Sequence, residues 1–394
     1  MAQRFMLLSL LMLLLMTVVT EAFRTQRPVL TNSAKATRNP SLRSGLVIGM
    51  TPDADLDAEI GQTESGVVAS APSTPGFQMP ERLQITMNFG LWYLISAYYN
   101  IYNKKALNSL GLPVLVATIQ MGTGILLFVP GWLMKFREAP FNSTAEFKQI
   151  LWQLKSVASF TTLSHIAGVV ALGSGTVSFT QVVKSAEPVF TAFMAAVFTR
   201  QFLSWQSYLS LIPVICGVSA VSASELTFSW FCLAAGMTAN VFAAARSVFG
   251  KVQMGGGGVK KMSSENYYSV ITILSLIMLL PITAFMEGGR VLEVIGTLRS
   301  GGELAATYRQ GLLHSFYSGF LFYMYNELSF KVLGKVNPVT HAIANTVKRV
   351  VIILSSVLVF RNPLTMQGKI GSAITILGLL IYSLSEYYTK QKKQ

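Results

Sequence analysis

The chain has 394 residues, 52% of them hydrophobic and only 12% charged, with a formal net charge of +14. Its apolar residues come in blocks of about 20, the length of a bilayer-spanning helix, which argues against a soluble globular fold. Lys and Arg lie mostly in the short gaps between these blocks and in the tail, which is where a membrane protein carries positive charge; a duplex-binding face would gather it on one surface.

Taken in chain order, the first 80 residues read as address labels and a tether. Arg4, the apolar run over 5–19, and Thr20, Glu21 and Ala22 have the basic, apolar and small-residue regions of a secretory signal peptide, so residues 1–22 are expected to be removed before Phe23. Residues 23–50 contain Arg24, Arg27, Lys35, Arg38 and Arg43 and no acidic residue, the composition of an organelle transit peptide. A signal peptide followed by a transit peptide resembles the two-part leaders of proteins sent to plastids with more than two bounding membranes. An acidic, Pro/Ser/Gly-bearing stretch over 51–82 is expected to be a disordered linker.

Ten apolar segments follow, at about 84–103, 112–134, 156–173, 175–199, 204–223, 227–249, 266–287, 311–333, 337–360 and 366–387, before a basic tail at 390–394. Breakers separate them, among them Gly111 with Pro113, the Gly173-Ser174-Gly175 turn, the glycine run 255–258 and Asn362-Pro363. At an offset of 161, Leu203-Ser204, Gly217 and Ser222 fall on Leu364-Thr365, Gly378 and Ser383. The expected fold is therefore an all-α membrane protein of ten transmembrane helices over 83–389, built as a five-plus-five inverted repeat because five is odd. The loops on the side of both termini hold the larger share of Lys and Arg, which points to termini facing the plastid interior.

Six ionisable residues sit well inside these segments: His165, Lys184, Glu187, Arg246, Lys348 and Arg349. Each Lys or Arg near a bilayer centre costs about 2.5–3.5 kcal/mol on insertion scales, so a cluster of them is read as functional. Lys348 and Arg349 are neighbours in an otherwise apolar helix, their side chains diverging by about 100°. Such a pair can hold an oxyanion from two directions, Arg as a planar fork and Lys as a point charge. Glu187, which can serve only one cation, is assigned to Arg246 as a structural ion pair, leaving Lys184, Lys348 and Arg349 for ligand. The alternative is that each cation pairs with a carboxylate or snorkels to the surface. His165 and Tyr325 are polar neighbours that fit the same cavity. Cys216 and Cys232 lie in adjacent apolar segments and read as packing residues. With three histidines and no HExxH, CxxC or nucleotide-binding glycine loop, neither a metal, a cofactor nor an enzyme is expected; a phosphotransferase would need a nucleophile or metal-binding carboxylates beside the cations.

At these residues the sequence resembles the plastid phosphate translocators, the triose-phosphate/phosphate translocator family of the drug/metabolite transporter superfamily. The stretches GLWYLISAYYNIYNKKALN at 90–108, SFTQVVKSAEPVF at 178–190 and NTVKRVVIILSSVLVF at 345–360 are similar to that family's signatures. In the family a histidine, a lysine 19 residues later, a tyrosine, and a Lys-Arg pair 23 residues after the tyrosine bind substrate; His165, Lys184, Tyr325, Lys348 and Arg349 have those spacings. The resemblance implies one-for-one antiport of inorganic phosphate with phosphorylated C3 compounds across a plastid inner envelope, by alternating access. Pentose- or hexose-phosphate exchange, phosphoenolpyruvate exchange and nucleotide-sugar transport are alternatives on the same scaffold. Gly168 stands where triose-phosphate carriers place a small hydroxyl-bearing residue. The expected partners are phosphate, small phosphorylated metabolites and the bilayer, with no nucleic acid, and the chain is expected to act as a monomer.

Overall fold

The computed structural model describes residues 81–391 apart from 201, 227, 256–261, 334–337 and 362–363. The expected signal peptide, transit peptide and all but the last two residues of the linker lie outside the described residues, as does the end of the basic tail. Among the described residues the secondary structure is helical throughout. The helices are α1 (Glu81–Leu110), α2 (Pro113–Leu133), α3 (Thr144–Ser174), α4 (Val177–Lys184), α5 (Glu187–Met194), α6 (Trp205–Ser224), α7 (Trp230–Gly255), α8 (Ser264–Ser300), α9 (Glu303–Leu333), α10 (Pro338–Phe360) and α11 (Met366–Gln391).

Helices α4 and α5, with a π-turn at Ala195–Thr199, make one broken span, so the eleven helices form ten rods. Eight rods are long and apolar enough to cross a membrane. The other two, α1 and α9, have 30 and 31 residues and ample length, but they spend part of their composition on polar inward-facing residues such as Ser96, Asn100, Asn103, Ser315 and Ser318. Connections of two to ten residues make consecutive rods run antiparallel, so the start of α1 and the end of α11 share one end of the bundle, here the near end.

Local chemistry fixes the helix starts. Ser143, Thr176, Ser204 and Ser263 each accept a hydrogen bond from the backbone N–H three residues on, capping α3, α4, α6 and α8. Pro113 opens α2, and the two oxygens of buried Glu287 accept from the N–H groups of Val114 and Leu115 at 3.0 and 2.7 Å. A carboxylate buried there is compensated by the positive end of α2. Helices α3, α8 and α9 run beyond the apolar blocks; α8 has 37 residues, about 55 Å, against a hydrocarbon core of about 30 Å. Hydropathy marks only the part that lipid sees.

Large apolar side chains are exposed as well as buried, and polar ones are buried among them. Phe285, Leu126 and Leu377 are largely exposed on the flanks, whereas Gln120, Asn103, Thr180 and Asn240 are buried. That is the pattern of a bundle whose outside meets lipid and whose inside holds polar groups to one another. Neighbours in the bundle are α1 with α9, α3 with α7, α2 with α8, and α6 with α11. At the α6–α11 seam the backbones come close: Gly217 faces the backbone of Gly371 and Thr375, and Gly378 faces Val214.

Candidate functional site

The site grows from the break between α4 and α5. Pro188 has no N–H to give to the Lys184 carbonyl, so the regular ladder stops. Ser185 and Ala186 donate back three residues, to Val182 and Val183 at 2.9 and 3.1 Å, tightening the last turn of α4 before α5 starts at Glu187. Lys184 therefore ends one half-helix, and Glu187 begins the next.

Both face a cavity of about 460 Å³ in the middle of the bundle. Its wall includes all five residues expected to hold ligand, His165 from α3, Lys184 from α4, Tyr325 from α9, and Lys348 and Arg349 from α10, together with Glu187 and Arg246. The ammonium of Lys184 rests on Gly168, 3.0 Å from where a Cβ would stand, so the absence of a side chain there makes room for the cation. Lys348 lies over two rings, 4.6 Å from the centroid of Trp92 and 5.6 Å from that of Tyr325. Tyr325 in turn packs against Tyr99 and Phe322, at 5.2 and 5.5 Å between centroids. The His165 ring lies 4.5 Å from that of Phe322, and its buried Nε2 has no hydrogen-bond partner among the described residues.

The ion pairing differs from the sequence expectation. Glu187 pairs with Arg349, Oε2 to Nη2 at 3.4 Å, and Arg349 also directs Nη1 at the Gln181 carbonyl at 3.5 Å. Arg246 has no salt bridge among the described residues and lines the cavity as an open cation. The reason is the break: it turns the first residue of α5 toward α10, whereas a continuous helix would carry Glu187 on from Lys184 by regular rotation. The wall thus holds four cations, Lys184, Arg246, Lys348 and Arg349, and one carboxylate.

Sequence reasoning missed three further contributors. Trp92 sits beneath Lys348; Asn100 accepts from Gln181 Nε2 at 2.9 Å; Asn240 donates to the Val183 carbonyl at 2.8 Å beside the break. The asparagines were visible as amides within apolar runs. Trp92 gave no signal, because an aromatic in such a run reads as packing. His, Cys, Asp and Glu form no metal-sized cluster among the described residues.

The cavity opens toward the near end. Ser247, Tyr267, Asn326 and Ser329 on that side are half-buried, while Asn103, Leu172 and Thr180 on the other are fully buried. A seal lies beyond them. Lys104 donates to the carbonyls of Leu172, Gly173 and Gly175 at 2.9, 3.3 and 2.9 Å, binding the end of α3 to α1, and Ser178 bonds Ser356 at 2.9 Å between α4 and α10.

Residues 83–383 match the family model described as the Triose-phosphate Transporter family. The chain belongs to that family. Relatives in it include phosphoenolpyruvate/phosphate translocator 2, chloroplastic, of Arabidopsis thaliana, 34% identical over 295 residues that cover 75% of each chain. The xylulose 5-phosphate/phosphate translocator of the same plant is 35% identical over 313 residues, 79% of this chain and 72% of the relative. A triose phosphate/phosphate translocator of non-green plastids from Brassica oleracea var. botrytis is 31% identical over 343 residues, 86% and 81% of the two chains. Family members at this level of identity thus carry names with different phosphorylated substrates.

Proposed function

We propose that this protein exchanges inorganic phosphate for phosphorylated C3 compounds, triose phosphate and 3-phosphoglycerate among them, across the inner envelope membrane of a plastid. The observation that carries the reading is the charge of the cavity wall, four cations against one carboxylate in a space sealed at one end. Closing it empty buries about three uncompensated charges; closing it around a phosphate dianion compensates most of them. Only the loaded carrier crosses, and the result is obligatory exchange.

The chemistry of the ligand follows from the same count. A phosphate dianion leaves one cation over, and a carboxylate on the other end of the ester accounts for it. Arg246, without a carboxylate partner, is the cation available. Phosphorylated C3 acids such as 3-phosphoglycerate and phosphoenolpyruvate are therefore bound better than esters with neutral tails.

Alternating access is taken to be a rocking of two five-rod halves with opposite topology. Support comes from the neighbour pattern: shifting each rod by five exchanges the α1–α9 pair with the α7–α3 pair and leaves α2–α8 and α6–α11 in place. Lys184 belongs to the first half and Arg246, Lys348 and Arg349 to the second. The broken span with its half-helix ends at the site is the device many secondary carriers use.

The test is reconstituted exchange. Vesicles containing the protein and internal phosphate take up 3-phosphoglycerate and phosphoenolpyruvate faster than dihydroxyacetone phosphate or glucose 6-phosphate, and Arg246→Ala removes that preference while sparing phosphate self-exchange. Rapid phosphate uptake into vesicles with no internal phosphate ester or phosphate contradicts exchange.

A further inference from the structure

Arg349 and Lys348 are adjacent, yet their charges are met in different ways. Arg349 has the carboxylate of Glu187 at 3.4 Å. Lys348 has no salt bridge among the described residues; its ammonium lies 4.6 Å from the centroid of Trp92 and 5.6 Å from that of Tyr325. Trp92 is wholly buried, set in α1 by Phe89 and by Tyr93, whose ring stacks at 5.9 Å. A fixed ring is presented to a flexible side chain.

We propose that Trp92 is a positioning residue for anion binding, holding the Lys348 ammonium in the cavity through its π face. A carboxylate in that place would cancel the charge that phosphate needs. An indole face attracts an ammonium without neutralising it, and it leaves N–H donors of the ammonium free for a phosphate oxygen. Lys348 keeps this contact when the site fills, so binding phosphate breaks no existing ion pair at that cation. Without the ring, the long Lys348 side chain is free to turn toward Glu187, and the cavity loses a cation. Trp92 lies in the first rod and Lys348 in the ninth, so the contact also joins the two proposed halves at the ligand.

The proposal rests on the reading of the cavity as a phosphate site, and the experiment separates the two. In reconstituted exchange, Trp92→Phe raises the KM for phosphate about threefold and Trp92→Leu about tenfold, following the weakening of the π face, with kcat within about twofold of wild type. Equal KM values for the Phe and Leu variants would mean Trp92 only packs, and would overturn the proposal. A second readout is tryptophan emission in the detergent-solubilised protein. Phosphate changes it in wild type, and the change is lost in Trp92→Phe and in Lys348→Met; a change that persists in both overturns the proposal even if Trp92→Leu fails to fold. Wild-type protein whose emission responds to phosphate but which exchanges none contradicts the transport reading and leaves the positioning intact. Exchange with no emission response sinks the positioning alone.

Discussion

The Glu187–Arg349 pair sets up a competition that a single substitution exposes. At 3.4 Å and an effective dielectric near 20, the gross attraction is about 5 kcal/mol. The side chains are 31% and 14% exposed and face an open cavity, so desolvation and screening leave a net of about 1–1.5 kcal/mol. In the proposed mechanism an arriving phosphate displaces that carboxylate from Arg349. Glu187→Gln removes the competitor while a side-chain oxygen remains to accept from Nη2, and the Gln181 carbonyl still lies at 3.5 Å from Nη1. The guanidinium therefore keeps its place. The expected result is a KM for phosphate lowered about five- to tenfold, matching that net energy, and a kcat lowered by a similar factor because release is no longer assisted. The assay is phosphate self-exchange in vesicles, with internal and external phosphate varied independently. A raised KM would refute the reasoning, since it would mean that Glu187 orients Arg349 and does not compete for it.

Other substitutions probe the frame around the site. Gly168→Ser places a Cβ 3.0 Å from the Lys184 ammonium, which can swing away; the expected outcome is a KM for phosphate changed about threefold with thermal stability unaltered, read by exchange kinetics and a melting curve. Gly217→Ala is different in kind, because the new Cβ meets the Gly371 carbonyl and the Thr375 nitrogen at 2.6 Å, backbone that cannot step aside. It should destabilise the bundle by about 1–3 kcal/mol, seen as a lower melting temperature in detergent, while the folded fraction keeps its KM. Lys104→Met removes three hydrogen bonds to carbonyls at the end of α3 and loosens the far-end seal. A cysteine placed at Asn103 then reacts with a water-soluble thiol reagent from the far end faster than in the Lys104 background; equal rates would show that Lys104 does not hold the seal.

Much of the fold was legible because lipid imposes a length and a polarity on every span. The ten apolar blocks correspond to the ten rods, and the breakers fall at their junctions. Helix ends were less legible for the same reason: α8 continues to Ser300 and α3 begins at Thr144, in residues whose polarity suits water and says nothing about where the helix stops. The convergence of Lys184, Lys348 and Arg349 on one cavity could be anticipated, since charges this costly in a bilayer gather where they share a purpose. Trp92 could not, because its role depends on which side chain lies over its face.

The pairing of Glu187 shows where one-dimensional reasoning stops and what would have extended it. From the sequence, Glu187 is expected to pair with Arg246, leaving Lys184, Lys348 and Arg349 for ligand. That reading treats residues 178–190 as a single helix. Yet Ala186-Glu187-Pro188 holds the contrary signal, because a proline in that position strips a hydrogen bond from the preceding turn and is well suited to the first turn of a new helix. Once the helix restarts at Glu187, an acidic first residue is favoured by the new positive helix end, and its direction is set by α5. The carboxylate then goes to Arg349, and Arg246 is left without a carboxylate on the cavity wall. The identity of the cation that stays open, on which the proposed preference for an ester bearing a second negative group rests, thus follows from one proline in a membrane span.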